Sequence, residues 1–302
     1  MSRLVIHPGF VKSASTGLQV NLFDRHPEIA NIGKPYNDES RLDVHDFVDY
    51  VCLTPAMDYD PRRAAESYAA VIAPRISDDK VTVLSDERVT TTAGIDRSLV
   101  AARIRDLFGE AKVVFAIRRQ IDVLSSIYMM HYLEGNHSVT FDQWAEMQLR
   151  AFRNNSIVAM VNYHRLIEYY VRQFGRENVS VFLYERLVEN AVDFVAELCA
   201  AIGIASAADA PLARGQRIRQ RGSRFEYLRR NHPSLTLVRD AARRALPAGA
   251  YERLKALTGG TRRVEVRMSD ATRKAIEDTV RDGNRALQES FGLPLEAYGY
   301  PL

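Results

Sequence analysis

Lys12 is the first residue that can do chemistry here, because of what stands on either side of it. Arg3 to His7 read as a short strand, Pro8 and Gly9 break it, and a helical period starts at about Thr16. A helix N-terminus placed after a strand aims free N–H groups and a positive dipole end at the loop, which suits an anion. Lys12 adds a cation, and Ser13, Ser15 and Thr16 add hydroxyl donors around it. Ala14 is small enough for the backbone to close round a phosphate, and Gly17 completes the run. The same composition also fits an ordinary strand-to-helix turn with a surface lysine. The ATP-binding pattern G-x-x-x-x-G-K-S/T is absent, since Val11 precedes Lys12 and Ile6 stands where the first glycine belongs. Magnesium-ATP chemistry is therefore not supported.

A second strand runs into a helix at Lys112 to Ser126, with Arg118 at the strand end and Ser126 about two helical turns later. Arginine offers a fork of donors matched to phosphate, and Ser126 can add a hydroxyl. Alternatively, Arg118 pairs with Asp122 and Ser126 faces solvent.

Taken together and in order, these segments resemble the PAPS-dependent sulfotransferases, closest in style to bacterial carbohydrate and glycolipid members. Lys12, Ser13, Ser15, Thr16, Leu18 and Gln19 match the family loop P-K-S/T-G-S/T-T-x-L-Q, with Val11 for its proline and Ala14 for its second-site glycine. Arg118 and Ser126 have the family's spacing, Asp122 matches, and Arg119-Gln120 replace Asn-Pro. Leu183-Tyr-Glu-Arg-Leu187 is similar to its Tyr-Glu-x-Leu segment. So are Leu133-Glu-Gly135 with Ser138-x-x-Phe141, and Asp282 to Leu287 through Tyr298 to Pro301.

The resemblance implies a three-layer α/β/α fold like that of P-loop NTPases, with a central parallel sheet and a helical C-terminal third. It also implies PAPS as co-substrate, held by the Lys12 loop and by Arg118 and Ser126, with Tyr184 against the adenine. Arg221-Gly222 match a basic loop that closes the 3′-phosphate site in relatives. The proton-accepting base of the aryl and alcohol branch is a histidine after the strand preceding the Arg/Ser motif. Here that strand ends Val83-Leu-Ser-Asp-Glu-Arg88. Glu87 is the first choice for the base and Asp86 the second, as carboxylates serve in glycan-modifying relatives. His7 beside the loop is a rival, and His131 on the helix after Ser126 a weaker one. The missing histidine points to a carbohydrate or glycolipid acceptor by analogy.

The elements that must position these residues alternate, strand and helix, as in a parallel sheet covered by helices. Thr16 and Gln19 fit a capping box, with Leu18 and Leu22 sharing the buried face. Asp60-Pro61 starts a helix through Ile72. Lys80–Leu84, Lys112–Ile117 and Val179–Leu183 read as strands, the second continuous enough in apolar residues to be central. Helices are expected from Asp96 to Gly109, Gln120 to Leu133, about Ser156 to Phe174, and Ser269 to Phe291. The acidic residues between Asp38 and Asp60 are expected along the acceptor cleft.

The 302 residues suit one α/β domain, with a core over 1–205 and a mainly helical part over 206–302. Hydrophobic residues at 46 % and charged residues at 26 % exclude a mainly disordered chain. Net charge of +3 does not by sign point to nucleic acid. The basic segment Arg214 to Arg244 holds ten arginines against Glu226 and Asp240, without the aromatic interleaving that stacks on bases. No nucleic-acid partner is expected, and peripheral membrane contact stays open. Cys52 and Cys199 are the only cysteines; Cys199 reads as a small core residue and a reduced compartment is expected, and no run approaches the length of a membrane span. A cytoplasmic location is expected, with no metal, since no histidine lies in a ligand spacing. Oligomeric state is not readable.

Overall fold

The computed structural model describes residues 3–34, 39–90, 96–133, 139–151, 156–206, 250 and 266–302. Five strands form one all-parallel sheet: β1 (Leu4–His7), β2 (Ile29–Asn31), β3 (Val81–Ser85), β4 (Lys112–Ile117) and β5 (Val179–Leu183), in the order β2-β3-β1-β4-β5. The side chains alternate between two separate cores. Leu4, Ile6, Leu84, Val113, Phe115 and Ile117 face one, and Val5, Val81, Val83, Val114 and Ala116 face the other. Strands buried on both faces carry near-continuous apolar runs, as β4 does.

The described helices are α1 (Ser15–Leu18), α2 (Leu42–Leu53), α3 (Pro61–Ser67), α4 (Arg97–Phe108), α5 (Gln120–Leu133) and α6 (Phe141–Arg150). After them come α7 (Ile157–Val161), α8 (Tyr163–Phe174), α9 (Tyr184–Glu189), α10 (Ala191–Ile202) and α11 (Asp270–Phe291). A π-turn, Gln19–Phe23, continues α1, and with α10 it covers the smaller core. The larger core lies under α2, α4, α5, α7, α8 and α11. This is the expected three-layer α/β/α arrangement. Cys52 and Cys199 are free and buried in different cores. Among the described residues no helix is long and apolar enough to cross a membrane.

Several local expectations change. Ser156 to Phe174 is two helices, because Asn162 leaves the helical region at φ −80°, ψ 80°. The break fits Gly283 of α11, where a Cβ would stand 2.5 Å from Asn162 Oδ1. Thr16 and Gln19 do not form a capping box: α1 starts after Ala14 with no side-chain cap, and Gln19 crosses to Ser85. Strand β2 and helix α2 went unforeseen. Three of the acidic residues on and after α2 hold structural bonds, with Asp43 paired to Arg75, Asp49 to Arg88, and Asp60 accepting from Arg62 N–H as the cap of α3.

Candidate active site

In a parallel sheet a ligand crevice opens at the carboxyl ends of strands, where successive connections leave in opposite directions. Here β1 lies between β3 on one side and β4 on the other, which makes it that switch point. The loops after β3, β1 and β4 and the turn after β5 carry Glu87, Lys12, Arg118 and Tyr184 respectively. Four residues far apart in sequence thus share one edge of the sheet.

The β1 loop is held in an unusual backbone shape. Lys12 and Ala14 both have left-handed conformations, φ 63° and φ 71°. L-residues adopt that region at a cost of about 1–2 kcal/mol each, so the surroundings must hold them there. Phe10, 3 % exposed, wedges against Phe115 and Tyr163 at ring distances of 5.5 and 4.6 Å. Thr90 donates to the Gly9 carbonyl at 2.6 Å, and Ser13 N–H to the Phe10 carbonyl at 3.2 Å. Turns that mix left- and right-handed residues make a concave row of N–H groups that suits an anion. Ala14, at φ 71°, holds a position that glycine would fill without strain. Ser13 and Ser15 are buried, while Thr16 and Gly17 lie half-buried in α1.

Glu87 lies over this loop. A Cβ on Gly9 would come within 3.4 Å of its Cγ, and Ser15 hydrogen-bonds its carboxylate. Burial raises the Glu87 pKa, opposed by Lys34, Ser15 and Lys12 in that order, while the Asp86 charge raises it further. Asp86 is committed elsewhere. It is 2 % exposed, accepts Arg88 N–H and Nε at 2.9 Å each, and pairs with Arg88 Nη2 at 2.6 Å. His7 sits inside the wall at 0 % exposure, its Nδ1 2.7 Å from Ser85 Oγ, with burial lowering its pKa to about 4. His131 lies in the last turn of α5.

Arg118 reaches across the switch point. Its Nη1 donates to the Lys12 carbonyl at 3.2 Å, and its guanidinium lies 4.6 Å from the centre of the Tyr184 ring. Its Nε is buried without a hydrogen-bond partner, a costly state that an added acceptor would relieve. Asp122 pairs with Arg119 at 2.9 Å, so the neighbouring arginine takes the partner that Arg118 was weighed for. Ser126 is half-buried on α5. Beside it a cavity of about 520 Å³ is lined by Arg119, Asp122, Ser125, Arg267, Arg273 and Glu277. Arg221 and Gly222 lie outside the described residues. Among those described, no three His, Cys, Asp or Glu side chains are grouped to hold a metal.

Arg119, Arg267, Arg273 and Lys34 are the residues at this edge that the sequence did not single out. No spacing marks the three arginines, and Lys34 is brought in by the unforeseen β2. No family model and no curated protein matches the sequence. Among solved structures, a sulfotransferase from Alicyclobacillus acidocaldarius superposes over 99 % of this chain and 98 % of its own, at TM-score 0.60 and 15 % identity. The fold is that of a sulfotransferase. The sulfotransferase domain of the Synechococcus PCC 7002 olefin synthase is a looser likeness, at TM-score 0.37 and 17 % identity over 68 % of this chain and 74 % of that one. Within the sulfotransferase fold, the Lys12 loop, Glu87 and Arg118 occupy three adjacent strand ends.

Proposed function

We propose that this chain is a sulfotransferase that carries the sulfuryl group of PAPS to a hydroxyl of a carbohydrate or glycolipid. The observation that carries the reading is the placing of Glu87 over the Lys12 loop: a carboxylate with raised pKa beside an anion-shaped turn. Arg118 supports a second anion, because its Nε is buried and unpaired. PAPS has two such anionic ends, a 5′-phosphosulfate and a 3′-phosphate. The cavity lined by Arg119, Arg267 and Arg273, with Asp122 and Glu277 among them, lies next to the Arg118 turn.

In this reading Glu87 takes the proton from the acceptor hydroxyl as its oxygen bonds to sulfur. The bond from sulfur to the bridging 5′-phosphate oxygen breaks, and Lys12 with the loop N–H groups stabilises the charge that builds there. Products are the sulfate ester and 3′-phosphoadenosine 5′-phosphate. A base of this kind contributes typically ~10²–10⁴-fold. The test is transfer of labelled sulfate from PAPS to a panel of glycan and glycolipid acceptors. Lys12→Ala should abolish transfer, and Glu87→Gln should lower kcat by that factor while leaving donor binding in place. Full activity in Glu87→Gln would overturn the assignment of the base.

A further inference from the structure

The segment 299–302 is distant in sequence from the Arg118 turn, yet buried and half-buried hydrogen bonds tie the two together. Glu185, next to Tyr184, accepts Arg119 N–H at 2.9 Å through one carboxylate oxygen and the Tyr300 hydroxyl at 2.9 Å through the other. Tyr300 is 3 % exposed. A second chain of bonds runs alongside. Gln120 Nε2 donates to Asn284 Oδ1 at 2.6 Å, and Asn284 Nδ2 donates to the Pro301 carbonyl at 2.9 Å. A third bond joins the Tyr163 hydroxyl to the Arg118 carbonyl at 2.7 Å. All three converge on residues 118–120, the turn from which the Arg118 side chain departs.

Arg118 itself has little else to aim it. Among the described residues its guanidinium makes no ion pair, and it rests on the Tyr184 ring with one bond to the Lys12 carbonyl. Its direction is set by those two contacts together with the backbone beneath it. Buried polar networks act as a unit, so loss of one bond is felt by the groups at the other end.

We propose that Tyr300 and Glu185 are positioning residues for recognition of the donor's 3′-phosphate, acting through the Arg119 peptide to aim Arg118. The inference rests on the proposed role of Arg118. Neither residue needs to touch the ligand. A Tyr300→Phe change keeps the ring and removes only the hydroxyl, leaving Glu185 short of a donor and free to turn.

Calorimetric titration with 3′-phosphoadenosine 5′-phosphate and with adenosine 5′-phosphate isolates the 3′-phosphate, because the two ligands differ only there. The wild type should prefer the former, and Tyr300→Phe should reduce that preference about tenfold while leaving the adenosine 5′-phosphate affinity unchanged. Glu185→Gln should preserve the preference, since an amide can accept from Arg119 N–H and donate to the Tyr300 oxygen. If Tyr300→Phe does not fold, Glu185→Ala carries the same expectation of a reduced preference. An unchanged preference, or equal weakening of both ligands, would overturn the positioning role. A wild type with no preference would instead overturn the phosphate-binding role of Arg118, and the inference with it.

Discussion

His7 offers a test of the scaffold beneath the site that depends on no ligand. Its ring is fully buried, stands edge-on to Phe23 at 5.4 Å, and meets Ser85 Oγ through Nδ1. Gln19 Nε2 donates to the same Ser85 oxygen at 2.8 Å, and His7 Nε2 is buried without a hydrogen-bond partner. Protonation puts a charge where no counter-ion faces it among the described residues, and burial lowers the pKa from 6.5 to about 4. Between those two values the unfolded chain binds more protons than the folded one, so stability falls as pH falls, and the loss levels off below about 4. From about pH 7 to pH 5 this linkage amounts to about 2 kcal/mol. With a urea m-value of about 2–3 kcal/mol/M, the midpoint would drop by just under ~1 M. His7→Asn keeps a polar atom near the Nδ1 position and cannot titrate. It should be less stable than wild type at pH 7, from lost ring packing, and that gap should shrink by about 2 kcal/mol at pH 5. Gaps that stay equal at the two pH values would mean that His7 is solvated or already charged, and the buried His7-Ser85-Gln19 arrangement would be wrong.

Three further outcomes follow from the site. The acid limb of the pH–rate profile should lie above the ordinary glutamate value, because the base must be ionised and burial raises the Glu87 pKa. Lys34→Met should move that limb to still higher pH, since Lys34 is the foremost influence lowering it; an unmoved limb would remove Glu87 or Lys34 from the account. Asp86→Ala should cost about 1–3 kcal/mol in urea unfolding, because Arg88 loses its bonds to Asp86 but keeps Asp49 and the His45 carbonyl, while Glu87→Gln should change stability little. Ala14→Val should destabilise by roughly 1–3 kcal/mol, because a β-branched residue resists φ 71°, whereas Ala14→Gly should be near neutral.

What was legible in the sequence was the part governed by local rules. β4 is readable because both faces of the sheet are buried, and α4 because Asp96 accepts Ser98 N–H at one end and Gly109 turns the chain at the other. The ordering of Lys12, Glu87, Arg118 and Tyr184 was legible too, each being the first polar residue or nearly so after a strand. Their convergence was not, since it depends on β1 lying between β3 and β4. The choice between Asp86 and Glu87 turns on Arg88, whose guanidinium folds back onto Asp86. That contact leaves no mark in spacing. Strand β2 is only three residues long, too short for its alternation to stand out, and Lys34 was missed with it. Gln19 looked like a capping residue because its side chain has the right length, but the buried Ser85 carbonyl and hydroxyl compete for it and win.

The most direct test of the donor reading is thermal unfolding with 3′-phosphoadenosine 5′-phosphate, set against the same protein with ATP and magnesium. A ligand held only by the folded chain stabilises it by about 2.7 kcal/mol at a hundredfold excess over its Kd. The account predicts a rise in midpoint with the bisphosphate, none with magnesium-ATP, and loss of the rise in Lys12→Ala. Stabilisation by magnesium-ATP with none by the bisphosphate would contradict it.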